Sequence, residues 1–119
     1  MVYGPDESGR KPAREPLRVS FLDLGQGECT LVRTPDGRSM LIDAGGPGTY
    51  SELVSRLEEL GVHRIDLLVI TSPSAESTGG MAAVLERFGV SRVVRGGFSG
   101  SSPEYDQVSR VVEDRRIEC

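Results

Sequence analysis

One histidine, His63, and two cysteines, Cys29 and Cys119, are all that the 119 residues offer as soft metal ligands. That scarcity excludes most transition-metal chemistry, because zinc and its neighbours are held by about three or four imidazole, thiolate or carboxylate groups. Cys29 lies inside a strand-like run and Cys119 is the last residue, so they form neither a disulfide framework nor a zinc-ligand spacing. Both read as reduced thiols without chemistry. A long basic run is also missing: 14 Lys and Arg stand against 18 Asp and Glu, for a net charge of −4, which argues against phosphate-backbone binding by the domain as a whole. The longest apolar run is about "IDLLVI", far below the roughly 20 residues of a membrane-spanning helix. Residues 1 to 16 lack the apolar centre of a signal peptide. The expectation is a soluble, cytoplasmic chain with no membrane segment. Its apolar share of 37% supports one modest core.

What is present falls into two regimes. Residues 1–16, "MVYGPDESGRKPAREP", carry three prolines and two glycines and read as a disordered or loosely held tail; residues 17–119 read as one domain. "LRVSFLDL", "ECTLVRT" and "RSMLIDA" have strand character, with the turn chemistry of "PDG" (Pro35 to Gly37) joining the last two, so an antiparallel meander is predicted. The period then changes from two to 3.6. Leu53, Val54, Leu57 and Leu60 share one helical face, Thr49 and Glu52 have capping-box spacing, and Gly61 sits at a termination position. "RIDLLVIT" reads as a strand buried on both faces. Met81, Val84, Leu85 and Phe88 mark a second helix closed by Gly89, "SRVVR" a further strand, and "GGFSGSS" a flexible loop. Ser102 and Pro103 make an N-cap and first-turn pair for a last helix through Val112. The fold class is α/β with a mixed sheet, an antiparallel N-terminal meander followed by β-α-β units.

Taken together, "FLDLGQGECTLVRTPDG", "MLIDAGGPG", "IDLLVITSPSAESTGG" and "VLERFGV" resemble the opening of the metallo-β-lactamase-like domain of ComEC-type competence proteins. The resemblance runs from about Val19 to at least Val94. It implies half of an αββα sandwich, a zinc-dependent hydrolase ancestry and an association with DNA uptake, where the family's domain is thought to act as a nuclease. Nucleic acid as a partner is implied by this resemblance alone. The family signature T-H-x-H-x-D-H-x-G-G falls on Thr71, Ser72, Ser74, Glu76, Ser77, Gly79 and Gly80. Each histidine position holds serine, and Glu76 replaces the aspartate. Asp43, of "LIDAGG", and Glu76 are the only carboxylates left near the implied metal pocket. The resemblance also places the family's remaining ligands in a second half that this sequence does not include.

Serine hydroxyls are neutral and poor zinc donors, so Ser72, Ser74 and Ser77 do not replace three imidazoles. No metal site and no cofactor is expected. Asp43 and Glu76 are weak candidates for a hard cation, weighed against a solvated loop. His63 is not a displaced ligand, since a strand of the length of "RIDLLVIT" separates it from Ser72 by roughly 20 Å. A serine hydrolase built on "SPSAES" has no base within reach. "GQG" (Gly25 to Gly27) and "GGPG" (Gly45 to Gly48) lack the P-loop lysine and dinucleotide spacing and read as tight turns. Arg92, Arg95, Arg115 and Arg116 read as solvated surface. The expected function is a non-catalytic, truncated, ComEC-like interaction module; the alternative is a metal-dependent hydrolase or nuclease completed by a partner chain. In the half-sandwich, one sheet face is left open, and self-association or a protein partner is expected to cover it.

Overall fold

The computed structural model describes residues 16–119; the tail expected at 1–16 lies, apart from Pro16, outside the described residues. In chain order the elements are β1 (Arg18–Phe21), β2 (Thr30–Arg33), β3 (Ser39–Ile42), α1 (Tyr50–Glu59), β4 (Arg64–Ile65), β5 (Leu67–Ile70), α2 (Ala75–Thr78), α3 (Met81–Arg87), β6 (Gly89–Val90), β7 (Val93–Arg95) and α4 (Pro103–Asp114). Five strands form a mixed sheet in the order β1-β2-β3-β5-β7, and β4 pairs with β6 beside it. β1, β2 and β3 run antiparallel, whereas β3, β5 and β7 are parallel. The meander and the β-α-β units are therefore both present.

Local chemistry sets the connections. Between β2 and β3, Thr34 N–H donates to the Arg38 carbonyl at 2.9 Å and Gly37 N–H to the Thr34 carbonyl at 3.0 Å. Gly37 has φ 88°, the left-handed residue that closes a three-residue hairpin loop. α1 ends as its sequence predicts: Gly61, φ 78°, donates to Glu58 O and Val62 donates to Leu57 O, both at 3.0 Å, which is the Schellman arrangement. At α4 the Ser102 hydroxyl accepts from Tyr105 N–H at 3.0 Å, with Pro103 in the first turn.

Strand parity decides where the core lies. Leu31, Leu41, Leu68 and Val93 are partners in one cross-strand row, and all four are fully buried against Leu53, Leu57, Val84, Leu85, Val108 and Val112 of the helices. The alternate residues form the opposite face. There Val19, Val32, Met40 and Leu67 make one row, and Phe21, Thr30, Ile42, Val69 and Val94 another. Phe21 is 80% exposed, and Val19 and Val94 are each 45% exposed. Among the described residues the helices pack on one face only.

Three expectations are corrected. "RIDLLVIT" is two strands, because Asp66 breaks the ladder: its N–H donates to Ser39 O at 2.9 Å while its carboxylate accepts from Ser39 N–H at 2.8 Å. β5 is not buried on both faces, since Leu67 and Val69 are only half-buried; a run of aliphatic residues carries no record of which neighbours cover it. The capping box also fails. Thr49 starts α1, but its hydroxyl donates to Gly46 O at 2.7 Å instead of capping the helix, so it fastens the preceding glycine turn. Within the "GGFSGSS" loop, the Phe98 ring meets Tyr105 edge-on at 5.7 Å.

The parity argument makes a measurable claim. Leu41→Ala should destabilise the fold by about 2–5 kcal/mol, the usual cost of emptying a filled core position. Met40→Ala, one residue away on the open face, should cost much less. Urea unfolding of the two variants checks this, and equal midpoints would contradict the assignment of faces.

Candidate functional site

Three loops meet at the end of the sheet where β3 and β5 terminate. Their contact is made of backbone. Ala44 N–H donates to Ser77 O at 2.8 Å, Gly79 N–H to Gly45 O at 2.9 Å and Gly80 N–H to Ala44 O at 2.9 Å; Gly45 N–H donates to Glu28 O at 2.9 Å and Gly46 N–H to Gln26 O at 3.0 Å. No side chain fits between these segments. A Cβ on Gly27 would lie 2.3 Å from Glu76 O, and one on Gly79 would lie 2.1 Å from the Gly46 carbonyl carbon. Gly27 and Gly79 are thus required by close approach of backbone, in keeping with the tight-turn reading of "GQG" and "GGPG".

Asp43 sits at the centre of this junction, 2% exposed. Its backbone is left-handed, with φ 62°, a conformation that costs a non-glycine residue roughly 1–2 kcal/mol. Both carboxylate oxygens are engaged by one residue: Oδ1 accepts from Thr71 N–H at 2.9 Å and Oδ2 from the Thr71 hydroxyl at 2.5 Å. Asp43 N–H continues the parallel ladder to Val69 O at 2.9 Å. The strained turn is therefore held by bonds that also end β5 at Thr71.

The Ser72–Ser77 segment wraps over this junction. Ser72 Oγ accepts from Ser74 N–H at 3.1 Å, a local hydroxyl turn. Ser74 is exposed and opens α2, its carbonyl accepting from Ser77 N–H and Thr78 N–H, each at 3.1 Å. Ser77 is buried at 6% exposure, and Glu76 is exposed. The start of α4 closes the segment from the other side, with the Ser102 hydroxyl donating to Pro73 O at 2.7 Å. The sequence signal for that contact was the Ser102–Pro103 cap, but not its partner.

The structure brings Asp43, Ser72, Ser74, Glu76 and Ser77 to one end of the sheet. His63 precedes β4 and lies at the other end. Among the described residues, no group of three or more His, Cys, Asp or Glu side chains is placed to hold a metal ion. Cys29, buried just before β2, adds no nucleophile. Burial, reinforced by the Asp43 charge, pushes its thiol up to about 12 from an ordinary 9.0, so the thiol form persists at neutral pH.

No protein-family model matches the chain. Over 99 residues it is 31% identical to competence protein ComA of Neisseria gonorrhoeae, an alignment covering 82% of this chain and 13% of the gonococcal protein. The chain thus spans a small part of that relative's length. The similarity supports a ComA-like competence relationship.

The two cysteines give a test of the site's burial. At pH 8 a thiol reagent should titrate exposed Cys119 rapidly and Cys29 only after unfolding. Stability should also fall as pH rises through about 9 toward about 12, because the unfolded thiol ionises in that window while the folded one keeps its proton. The slope is at most about 1.4 kcal/mol per pH unit. Urea titrations across that range should show this component in the wild type and not in Cys29→Ala; an identical pH slope in both would contradict it.

Proposed function

We propose that the chain is a non-catalytic domain of the metallo-β-lactamase-like kind, related to DNA-uptake proteins, that works by association and not by hydrolysis. One observation carries the first part: the loops around Asp43 keep a tightly fastened geometry while the side chains at the signature positions supply hydroxyls. Zinc is the cofactor that the resemblance implies, and these residues do not fit it. Both oxygens of Asp43 are taken up by Thr71, Ser77 is buried with its backbone bonded to Ala44, and only Glu76 presents a free-standing carboxylate at the surface. A zinc hydrolase needs about three strong donors and an open position.

The open sheet face supports the second part. Among the described residues, four of the five exposed large hydrophobic ones, Leu17, Val19, Phe21 and Val94, belong to β1 and its approach or to β7, and the parity places them with Met40, Ile42 and Leu67. In a sandwich such a face packs on a second sheet about 10 Å away. Its occupant in this reading is a second copy of the chain, since a largely apolar face can pair with its own copy about a two-fold axis. Magnitude limits the strength of that pairing. Five strands at about 4.8 Å and four residues at about 3.3 Å span roughly 300 Å², whereas a stable complex covers about 800 Å² on each partner. The dimer is therefore weak and concentration-dependent.

Two measurements test the proposal. Zinc added to the purified chain should leave its Tm unchanged, because only a ligand of the native state raises stability. A rise of several degrees that disappears in Asp43→Ala would instead favour a hydrolase completed by a partner chain. Sedimentation velocity over a wide concentration range should show a monomer passing into a dimer, with the transition abolished by Phe21→Ser. A compact monomer at every concentration would overturn the association.

A further inference from the structure

The two edges of the five-stranded sheet differ. At the β7 edge the chain returns after α4, so that Val93 N–H donates to Glu118 O at 2.8 Å and the Arg92 guanidinium meets the Glu118 carboxylate at 2.5 Å. At the other edge stands β1, and among the described residues no strand lies beyond it. Leu22 N–H donates to Cys29 O at 2.9 Å, and bonded pairs alternate with unbonded ones along an antiparallel ladder. Arg18 and Ser20 therefore turn their main-chain groups toward Arg33 and Leu31 of β2, whereas Val19 and Phe21 turn theirs outward. Among the described residues, no hydrogen bond reaches those outward groups.

β1 carries none of the usual protection at these positions. An edge strand is ordinarily blunted by lysine, proline or a bulge, but "VSF" contains neither residue and pairs with β2 in unbroken register. Exposure follows the same alternation. Val19 and Phe21 are 45% and 80% exposed on the open face, and Ser20, on the helix side, is half-buried.

We infer that β1 pairs antiparallel with β1 of a second copy, about a two-fold axis through Ser20, joining two five-stranded sheets edge to edge. The edge is self-complementary in this register. Val19 meets Phe21 of the second copy and Phe21 meets its Val19, each pair exchanging both main-chain bonds, so every outward donor and acceptor of the strand is used. A β-branched side chain thereby faces an aromatic one twice, a favoured cross-strand pair, and the two Ser20 side chains meet at the axis. Arg18 stands across from Leu22, so no like charges are opposed. A shift of two residues one way sets Val19 against the charge of Asp23, and the other way carries Phe21 past the end of β1. The axis is perpendicular to the sheet and the contact is made by main-chain atoms, so it is independent of the face-to-face pairing proposed above.

Amide hydrogen exchange in dilute and concentrated samples tests this. Exchange at Val19 and Phe21 should slow about tenfold once nine-tenths of the chain is paired, because it proceeds from the unpaired fraction; Ser20, already bonded to β2, should change little. In a mixture of isotope-labelled and unlabelled protein, a nuclear Overhauser contact between the Ser20 α-protons of two copies is expected, since an unbonded antiparallel pair brings the α-carbons to about 4.5 Å. Val19→Pro removes an outward donor at an edge position that tolerates proline, so it should keep the urea midpoint near that of the wild type and lose the concentration-dependent protection at Phe21. The wild-type exchange and the Ser20 contact decide the question independently of how that variant folds. The inference is overturned by exchange at Val19 and Phe21 that does not change with concentration, by a dimeric sample without the Ser20 contact, or by a Val19→Pro variant that pairs as well as the wild type.

Discussion

Everything at the Asp43 end of this molecule depends on three backbone segments approaching until no side chain fits between them. A Cβ on Gly27 or Gly79 would collide with backbone atoms of the facing segment, and backbone-to-backbone hydrogen bonds run across the contact. Asp43 completes the closure. Its left-handed turn redirects the chain out of β3 into the glycine loop, and its carboxylate holds Thr71 so that β3 and β5 end together.

Because main-chain atoms hold this geometry, the side chains at Ser72, Ser74 and Glu76 are left with little structural work. A histidine or a serine would leave the ladder between Ala44, Ser77 and Gly80 untouched. Shape and chemistry are separable here for a physical reason: hydrogen bonds between amides are indifferent to what the exposed side chains can ligate. In the proposed reading, such a loop presents a metal-site outline with a donor set that does not fit the metal.

The sheet then divides the molecule in two directions. Across its thickness, parity sends Leu31, Leu41, Leu68 and Val93 into the core and Val32, Met40, Ile42 and Val69 to the opposite face, so an apolar sequence yields one filled side and one open side. Along its length, Asp43 and the serines occupy one end, and Arg18, Arg33 and Arg64 gather at the other.

The sequence by itself determined the features whose cause is local. The shift from period two to period 3.6 marked the meander and α1, Gly61 marked the end of that helix, and Ser102 with Pro103 marked the start of α4; each is a matter of neighbours within about five residues. Resemblance along the chain likewise brought Asp43, Ser72, Ser74, Glu76 and Ser77 into one region. Tertiary structure alone decided what depends on distant partners. Asp66 breaks a run of aliphatic residues because Ser39, 27 positions earlier, occupies both its amide and its carboxylate. Half-burial of Leu67 and Val69 follows from where the helices pack, and Arg18 faces Arg33 only because of the register between β1 and β2. Side-chain type is written along the chain, but coverage and proximity are properties of the packed whole.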